Sequence, residues 1–490
     1  MTNYITQRPL GMFEKNQIAK QLTKGYASVT LTASLHHPPR SNGDIPTVFY
    51  KKYLYPALAT MIQKHPMLRL TVHDTDKSSA HFVQLLKLAY DDLVLVTDHD
   101  QFWIPNIQET IITEECQHEF DLFGLCPLWR LRVSCHPDKL DQCSITLSVQ
   151  HVIADGLSTT VLWQELLHNL NNIDSNSHNH IVDSLYFDTS SVCQVPLAIE
   201  DRNGPKDINV SPSDPVPTDG WQGDYAAPPN EKLDTVMHLM QVDVQTWTSL
   251  LKKAKMYEVS LHAVLYSAYL LSWMSEYPDQ AVKTVTAINC RTYCQPPIPH
   301  DELGIFFGRF EYGWPLEKLN ALTEDTTDDE TPLDGNKHLF MNDNIDTGIF
   351  STTTFWKLAK IYHDVVQENK LLTCQRSLLM GDSLPNYPED YCNVWYNARK
   401  MFEKGRSGGL NISDLGKFNY STGAKATWTL DHLWFSQSAH FYATILAVNA
   451  ITVNGSMHAT ITWQRGSVQE EKALRFIELF HARLKKESLV

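Results

Sequence analysis

Residues 143–149 read CSITLSV, in which apolar Ile145, Leu147 and Val149 alternate with polar Ser144, Thr146 and Ser148. A period of two predicts a half-buried strand, and continuing it puts His151 on the apolar side. Upstream, LWRLRVSC (128–135) sets Trp129, Leu131, Val133 and Cys135 against Arg130, Arg132 and Ser134. The turn-forming HPDKLDQ between the two runs makes them an antiparallel hairpin. Beyond Gly156 the period lengthens, because Val161, Leu162, Leu166, Leu167 and Leu170 recur on one helical face, with Ser158 available as its cap. Gly156 is therefore expected at a strand-to-helix corner, where a residue without Cβ lets the chain turn sharply.

The second half repeats this mixture. VSLHAVLYSAYLLSW (259–273) reads as a buried helix starting near Ser260, followed by a strand, KTVTAINCR (283–291), that ends in Arg291. FYATILAVNAITV, the Asn454-Gly455 turn and SMHATITW form a hairpin, and 469–486 is a closing amphipathic helix. Residues 201–230 are dense in Pro, Gly, Asp and Asn without an apolar period, which predicts a crossover linker between an N-terminal lobe, 1–200, and a C-terminal lobe, 231–490. TEDTTDDETPLDGNKH (323–338) is acidic enough to be a solvated insertion. The fold class expected is α/β, two lobes of mixed sheet.

Composition narrows the function. A chain of 490 residues exceeds what one core holds, which agrees with two lobes. The formal charge of −15, with no basic run, excludes nucleic acid as a partner, since that affinity comes from clustered positive charge. Nine scattered Cys without a C-x-x-C pair fit reduced thiols rather than a disulfide framework or a zinc site. With no signal-like N-terminus, the chain is expected to be cytoplasmic. Its longest apolar runs fall short of the roughly 20 residues of a membrane span. The amphipathic ends PLGMFEKNQIAKQL and EEKALRFIELFHARLKK are expected to pack on their own domain, with a membrane surface as the alternative.

The corner itself reads QHVIADGLS (150–158), an H-x-x-x-D-G spacing. It resembles the active-site motif of the coenzyme-A-dependent acyltransferase superfamily, which includes chloramphenicol acetyltransferase, plant BAHD acyltransferases and condensation domains. RPLGMFEKNQ (8–17), KHPMLRL (64–70), FDLFGLCPLWRL (120–131), INCR (288–291), LGIFFGRFE (303–311) and LNISDLGKF (410–418) follow in the order of that superfamily, and the combination is most similar to fungal alcohol acetyltransferases. The resemblance implies two chloramphenicol-acetyltransferase-like lobes with an active-site tunnel between them. It also implies transfer of an acetyl or other short acyl group from acyl-CoA to an alcohol. No cofactor is held permanently, and a monomer is expected, in contact at most with endoplasmic reticulum or lipid droplets.

An imidazole with an ordinary pKa near 6.5 suits deprotonation of an attacking alcohol, so His151 is the candidate base. Asp155 has two readings, a partner of His151 or, as the resemblance implies, a salt bridge to Arg291 that fixes the loop with Gly156. Ser413, or a neighbouring backbone N–H, is the oxyanion candidate, against a plain strand end. The usual S-N-L-G here is Ser413-Asp414-Leu415-Gly416. Arg69, Arg130 and Arg309 are candidates for coenzyme A phosphates or for structural ion pairs. GDSL at 381–384 matches a hydrolase signature in which Ser383 would be the nucleophile, but it lies late in the chain with no D-x-x-H after it. No metal is expected at His151 and Asp155, since zinc needs three or four ligands. Transfer to an amine, or a non-catalytic condensation-like module, are the rival functions.

Overall fold

The computed structural model describes residues 4–99, 101–173, 183–187, 194–202, 220–230, 232–324, 350–378, 384–420 and 426–489. Most of the expected linker (203–219), the acidic insertion from residue 325 onward, and Ser383 lie outside the described residues.

The strands are β1 (Tyr4–Pro9), β2 (Val29–His36), β3 (Leu70–His73), β4 (His81–Leu85), β5 (Lys87–Ala89), β6 (Val94–Asp98), β7 (Trp129–His136) and β8 (Lys139–Val149). They continue with β9 (Ser184–Tyr186), β10 (Thr235–Val242), β11 (Val282–Asn289), β12 (Phe307–Trp314), β13 (Leu410–Lys417), β14 (Thr429–Gln437), β15 (Leu446–Val453) and β16 (Ser456–Gln464). Two large mixed sheets result, one in the order β14-β2-β8-β7-β6 and one in the order β10-β16-β15-β13-β11-β12. Each backs its own apolar core, the first around Leu31, Leu147 and Trp163, the second around Tyr269, Val448 and Phe476. Two smaller sheets, β1-β4-β3 and β5-β9, complete the set among the described residues.

Both sequence hairpins are present: β7 and β8 pair antiparallel, and so do β15 and β16 around the Asn454-Gly455 turn. Ser260 caps the helix Leu261–Glu276 by accepting from Ala263 N at 3.2 Å. One strand ignores the division by halves. β14, from the second half, pairs antiparallel with β2 and forms the edge of the first sheet.

Three local expectations change. β8 is buried on both faces rather than one, because the helix Pro105–Cys116 covers its polar side. There Thr146 meets Thr32 at 3.0 Å and Ser148 donates to Glu115 at 2.8 Å, so the hydroxyls are satisfied without water. β11 stops at Asn289, and Arg291 sits in the single helical turn that follows it. β8 stops at Val149, so His151 belongs to the turn beyond it.

The amphipathic ends pack inward. The helix Met12–Leu22 buries Phe13 and Ile18, and Glu470–Leu489 buries Phe476, Phe480 and Leu484 against Leu261–Glu276. Among the described residues no helix is long and apolar enough to cross a membrane.

Glu115 ties the covering helix to the sheet. Its fully buried carboxylate accepts from Arg130 Nε at 3.0 Å and Nη2 at 2.7 Å, and lies 3.4 Å from Arg132 Nη1. Arg130 is thus a structural ion pair rather than a phosphate ligand. Glu115→Ala is expected to destabilise the fold by about 3 kcal/mol in urea unfolding, the low end for a broken buried pair because Arg130 keeps some solvent.

Candidate active site

The turn after β8 builds the histidine. Gln150 Oε1 accepts from Val152 N at 2.5 Å, and Ile153 N donates to Gln150 O at 3.1 Å, folding the chain back so that Ala154 O faces the imidazole. His151 Nδ1 lies 2.9 Å from that carbonyl, which can only accept. Nδ1 therefore carries the proton, and Nε2 carries the lone pair. The ring stacks on Phe307 (centroids 5.4 Å apart) and lies 6.2 Å from the ring of Tyr26. Burial, with the Lys20 ammonium second, lowers the His151 pKa to about 4, so the imidazole is neutral at physiological pH.

Asp155 turns away from that ring. It is the N-cap of the helix Gly156–Asn171, accepting from Ser158 N at 2.8 Å, the role expected of Ser158 itself. Arg291 donates to both carboxylate oxygens, at 2.8 and 2.9 Å, and Phe306 N donates at 3.0 Å. Burial alone would push this carboxyl up, but Arg291 and the hydrogen bonds outweigh it and hold the pKa below the usual range. Every strong partner is structural, and the backbone of Asp155 adds one more by donating from N to Gly304 O at 2.9 Å.

Gly156 is there for space. Its backbone is not in the left-handed region, but an added Cβ would lie 2.6 Å from Leu415 Cδ2 and 3.3 Å from the ring of Phe435. The corner expected to need backbone freedom instead needs a missing side chain, so that β13 and β14 can approach the helix start.

Ser413 sits inside β13, opposite Asn449 of β15, and does not merely end a strand. Gln437 Nε2 donates to Ser413 Oγ at 3.3 Å and to Asn449 Oδ1 at 2.9 Å, while Tyr26 OH donates to Gln437 Oε1 at 3.1 Å. With one lone pair of Oγ taken by an N–H, the serine's own O–H is left to donate elsewhere. Asp414, where the motif usually has Asn, accepts from Gly416 N at 2.8 Å and so shapes the strand's bend.

These groups meet in one cavity of about 1050 Å³ of empty space, partly open to solvent, between the two large sheets. His151, Asp155, Gly156, Arg291 and Ser413 all line it, and so does Arg309, which is also paired with Glu311 at 2.7 Å. Arg69 does not: it is buried with its guanidinium 4.8 Å from the ring of Phe187. Sequence reading missed Lys20, Tyr26, Gln437 and His440, which line the same space. His440 stacks on Tyr26 at 4.9 Å, and burial, then Lys20, pull its pKa well down. Among the described residues one cluster has metal-ligand spacing, His73, Asp74 and His81, and it is not part of the cavity lining.

Asp155→Ala is expected to leave Arg291 buried without its counter-charge and to lower the unfolding free energy by about 3–5 kcal/mol. Gly156→Ala is expected to lower it by about 1–3 kcal/mol through overpacking against Leu415. Denaturant melts of both variants, read beside circular dichroism, check this; a wild-type melt for Asp155→Ala would remove its structural role.

Residues 332–484 match the alcohol acetyltransferase family, a span that holds Ser413 and His440 and leaves His151 outside. A comparison with curated protein sequences finds no match. Among solved structures the chain is similar to the TRI3 trichothecene 15-O-acetyltransferase from Fusarium sporotrichioides, with a TM-score of 0.67 at 11% identity, covering 99% of this chain and 95% of that one. Polyketide synthase associated protein 5 from Mycobacterium tuberculosis follows at 0.58 and 13%, covering 99% of each chain. The condensation domain of the Monacolin K polyketide synthase MokA reaches 0.55 at 12%, covering 100% and 98%. The C-terminal third thus carries an alcohol acetyltransferase match, and the described residues have a two-lobed mixed α/β fold similar to that of the TRI3 acetyltransferase and the MokA condensation domain.

Proposed function

We propose that the protein is an acyltransferase that moves an acetyl or other short acyl group from acyl-CoA to an alcohol hydroxyl, with His151 as general base. The observation that carries this reading is the commitment of Nδ1 to Ala154 O, which leaves Nε2 as the proton acceptor of a neutral ring lining the cavity between the sheets. The family match in the C-terminal third supports acyl transfer.

The acceptor hydroxyl gives its proton to His151 Nε2 as its oxygen attacks the thioester carbonyl. The carbonyl oxygen becomes an oxyanion, which the Ser413 hydroxyl stabilises by donating to it. The tetrahedral intermediate collapses by breaking the carbon–sulfur bond. The proton held on His151 passes to the departing thiolate, giving the ester and free CoA, and the imidazole returns to its starting state. No acyl-enzyme forms, because the acceptor attacks directly in a ternary complex. Asp155 and Arg291 take no proton in this scheme; they hold the turn that aims the ring. Acyl-CoA is a co-substrate, and the scheme uses no resident cofactor.

Purified protein with acetyl-CoA and a panel of alcohols, sterols, sugars and amines is expected to release free thiol with an alcohol. Release with amines alone would change the acceptor class, and none with any acceptor would end the enzymatic reading. His151→Ala is expected to lower kcat by about 10²- to 10⁴-fold, the usual worth of a general base. Ser413→Ala should lower it by about 10²- to 10³-fold, as for an oxyanion donor.

The pH profile has a definite sign. The active form of His151 is the neutral one, and its pKa is depressed to about 4, so activity is retained down to mildly acid pH and lost as pH falls through that value. A kcat/KM profile whose acid limb sits near the ordinary histidine value of about 6.5 would place the base elsewhere.

A further inference from the structure

Lys20 is a cationic group of the cavity lining to which the proposed transfer gives no role. It projects from the helix Met12–Leu22, with Nζ 3.0 Å from Gln17 Oε1, 5.4 Å from the centroid of the Tyr26 ring and 5.5 Å from that of Trp395. Two ring faces and one amide oxygen stabilise an ammonium but do not neutralise it. Among the described residues no carboxylate lies within ion-pair distance of it.

The carboxylates that line the cavity are engaged elsewhere. Asp155 is held by Arg291, and Asp414 accepts from Gly416 N and lies 3.8 Å from His262 Nδ1. The other basic groups of the lining are the imidazoles of His151 and His440, whose pKa values are pulled down, Arg291, paired with Asp155, and Arg309, paired with Glu311. Burial, then the nearby Arg309, pulls the Lys20 pKa down to about 7, as expected for a half-buried cation without a counter-charge.

We infer that Lys20 is a subsite for an anionic oxygen group, a carboxylate or phosphate, carried by one of the substrates of the proposed transfer. This deepens that reading and rests on it. Tyr26 links the subsite to the chemistry, since its ring carries the Lys20 ammonium on one contact and His440 on another while its hydroxyl holds Gln437 against Ser413. A bound anion would supply the charge that the cavity lacks and fix the substrate relative to His151. The other source of such a group is the nucleotide end of the acyl donor.

The test compares matched ligands on the full chain. Lactate, mandelate and an ω-hydroxy fatty acid are each titrated calorimetrically against their methyl esters, and acetyl-CoA against acetyl-pantetheine, which lacks the nucleotide phosphates. The wild type is expected to prefer the charged member of one set by about tenfold or more, the scale of one charge-assisted hydrogen bond. Lys20→Met should collapse that ratio toward one, and Lys20→Arg should restore part of it. Collapse in the hydroxy-acid set assigns the anion to the acceptor, and collapse in the donor set assigns it to the donor. If neither ratio differs between wild type and a folded Lys20→Met, checked by its melting temperature, the subsite does not exist. Calorimetry needs no turnover, so this result is separate from whether thiol is released.

Discussion

The bidentate pair between Asp155 and Arg291 is the interaction on which the site depends. It joins the end of the β8 turn to the end of β11, so one buried charge pair links the two large sheets next to the catalytic candidate. A buried pair is weak evidence of net stability, since desolvation offsets most of its Coulomb gain. What it supplies is geometry. The same carboxylate caps the helix Gly156–Asn171 and accepts from Phe306 N, and the residue before it presents the carbonyl that sets the His151 tautomer. A helix cap, a contact between lobes and the orientation of an imidazole are thus determined within five residues.

Around that imidazole, burial and the Lys20 ammonium outweigh the opposing pull of the Asp155 carboxylate. Lowering the pKa of an imidazole weakens it as a base, yet it also keeps the ring unprotonated at physiological pH. The stacked ring of Phe307 and the tilted ring of Tyr26 take part in the burial that shifts it. The aromatic contacts are therefore electrostatic in effect although apolar in kind.

Much of this was legible in one sequence. Period-two alternation located β7 and β8, and the Asn454-Gly455 turn located β15 and β16, because in each case the signal is local and the strands are neighbours in the chain. The strand-to-helix corner and Ser413 were found through motifs. Lys20, Tyr26, Gln437 and His440 were not, since they come together only when the helix Met12–Leu22 and the segment around β14 reach the same cavity from opposite ends of the chain. No spacing rule connects residue 20 with residue 440. Gly156 shows a subtler limit: its position was readable, but its reason was a tertiary contact with Leu415, and one sequence offers only the local reason, backbone freedom. Ser158 gave way as cap to Asp155 because the carboxylate was already fixed there by Arg291.

The placement of β14 at the edge of the first sheet has a consequence for how the chain is made. β2, near the N-terminus, has β8 on one side and β14 on the other, and β14 is synthesised some 400 residues after β2. Until then the flank of β2 is an open row of backbone donors and acceptors, a template for pairing with another nascent chain. The first lobe cannot finish folding as it leaves the ribosome, and sheet closure depends on a long-range, slow-forming contact. Shielding that edge during the wait, by a chaperone or by low concentration, is therefore a requirement separate from the stability of the finished fold.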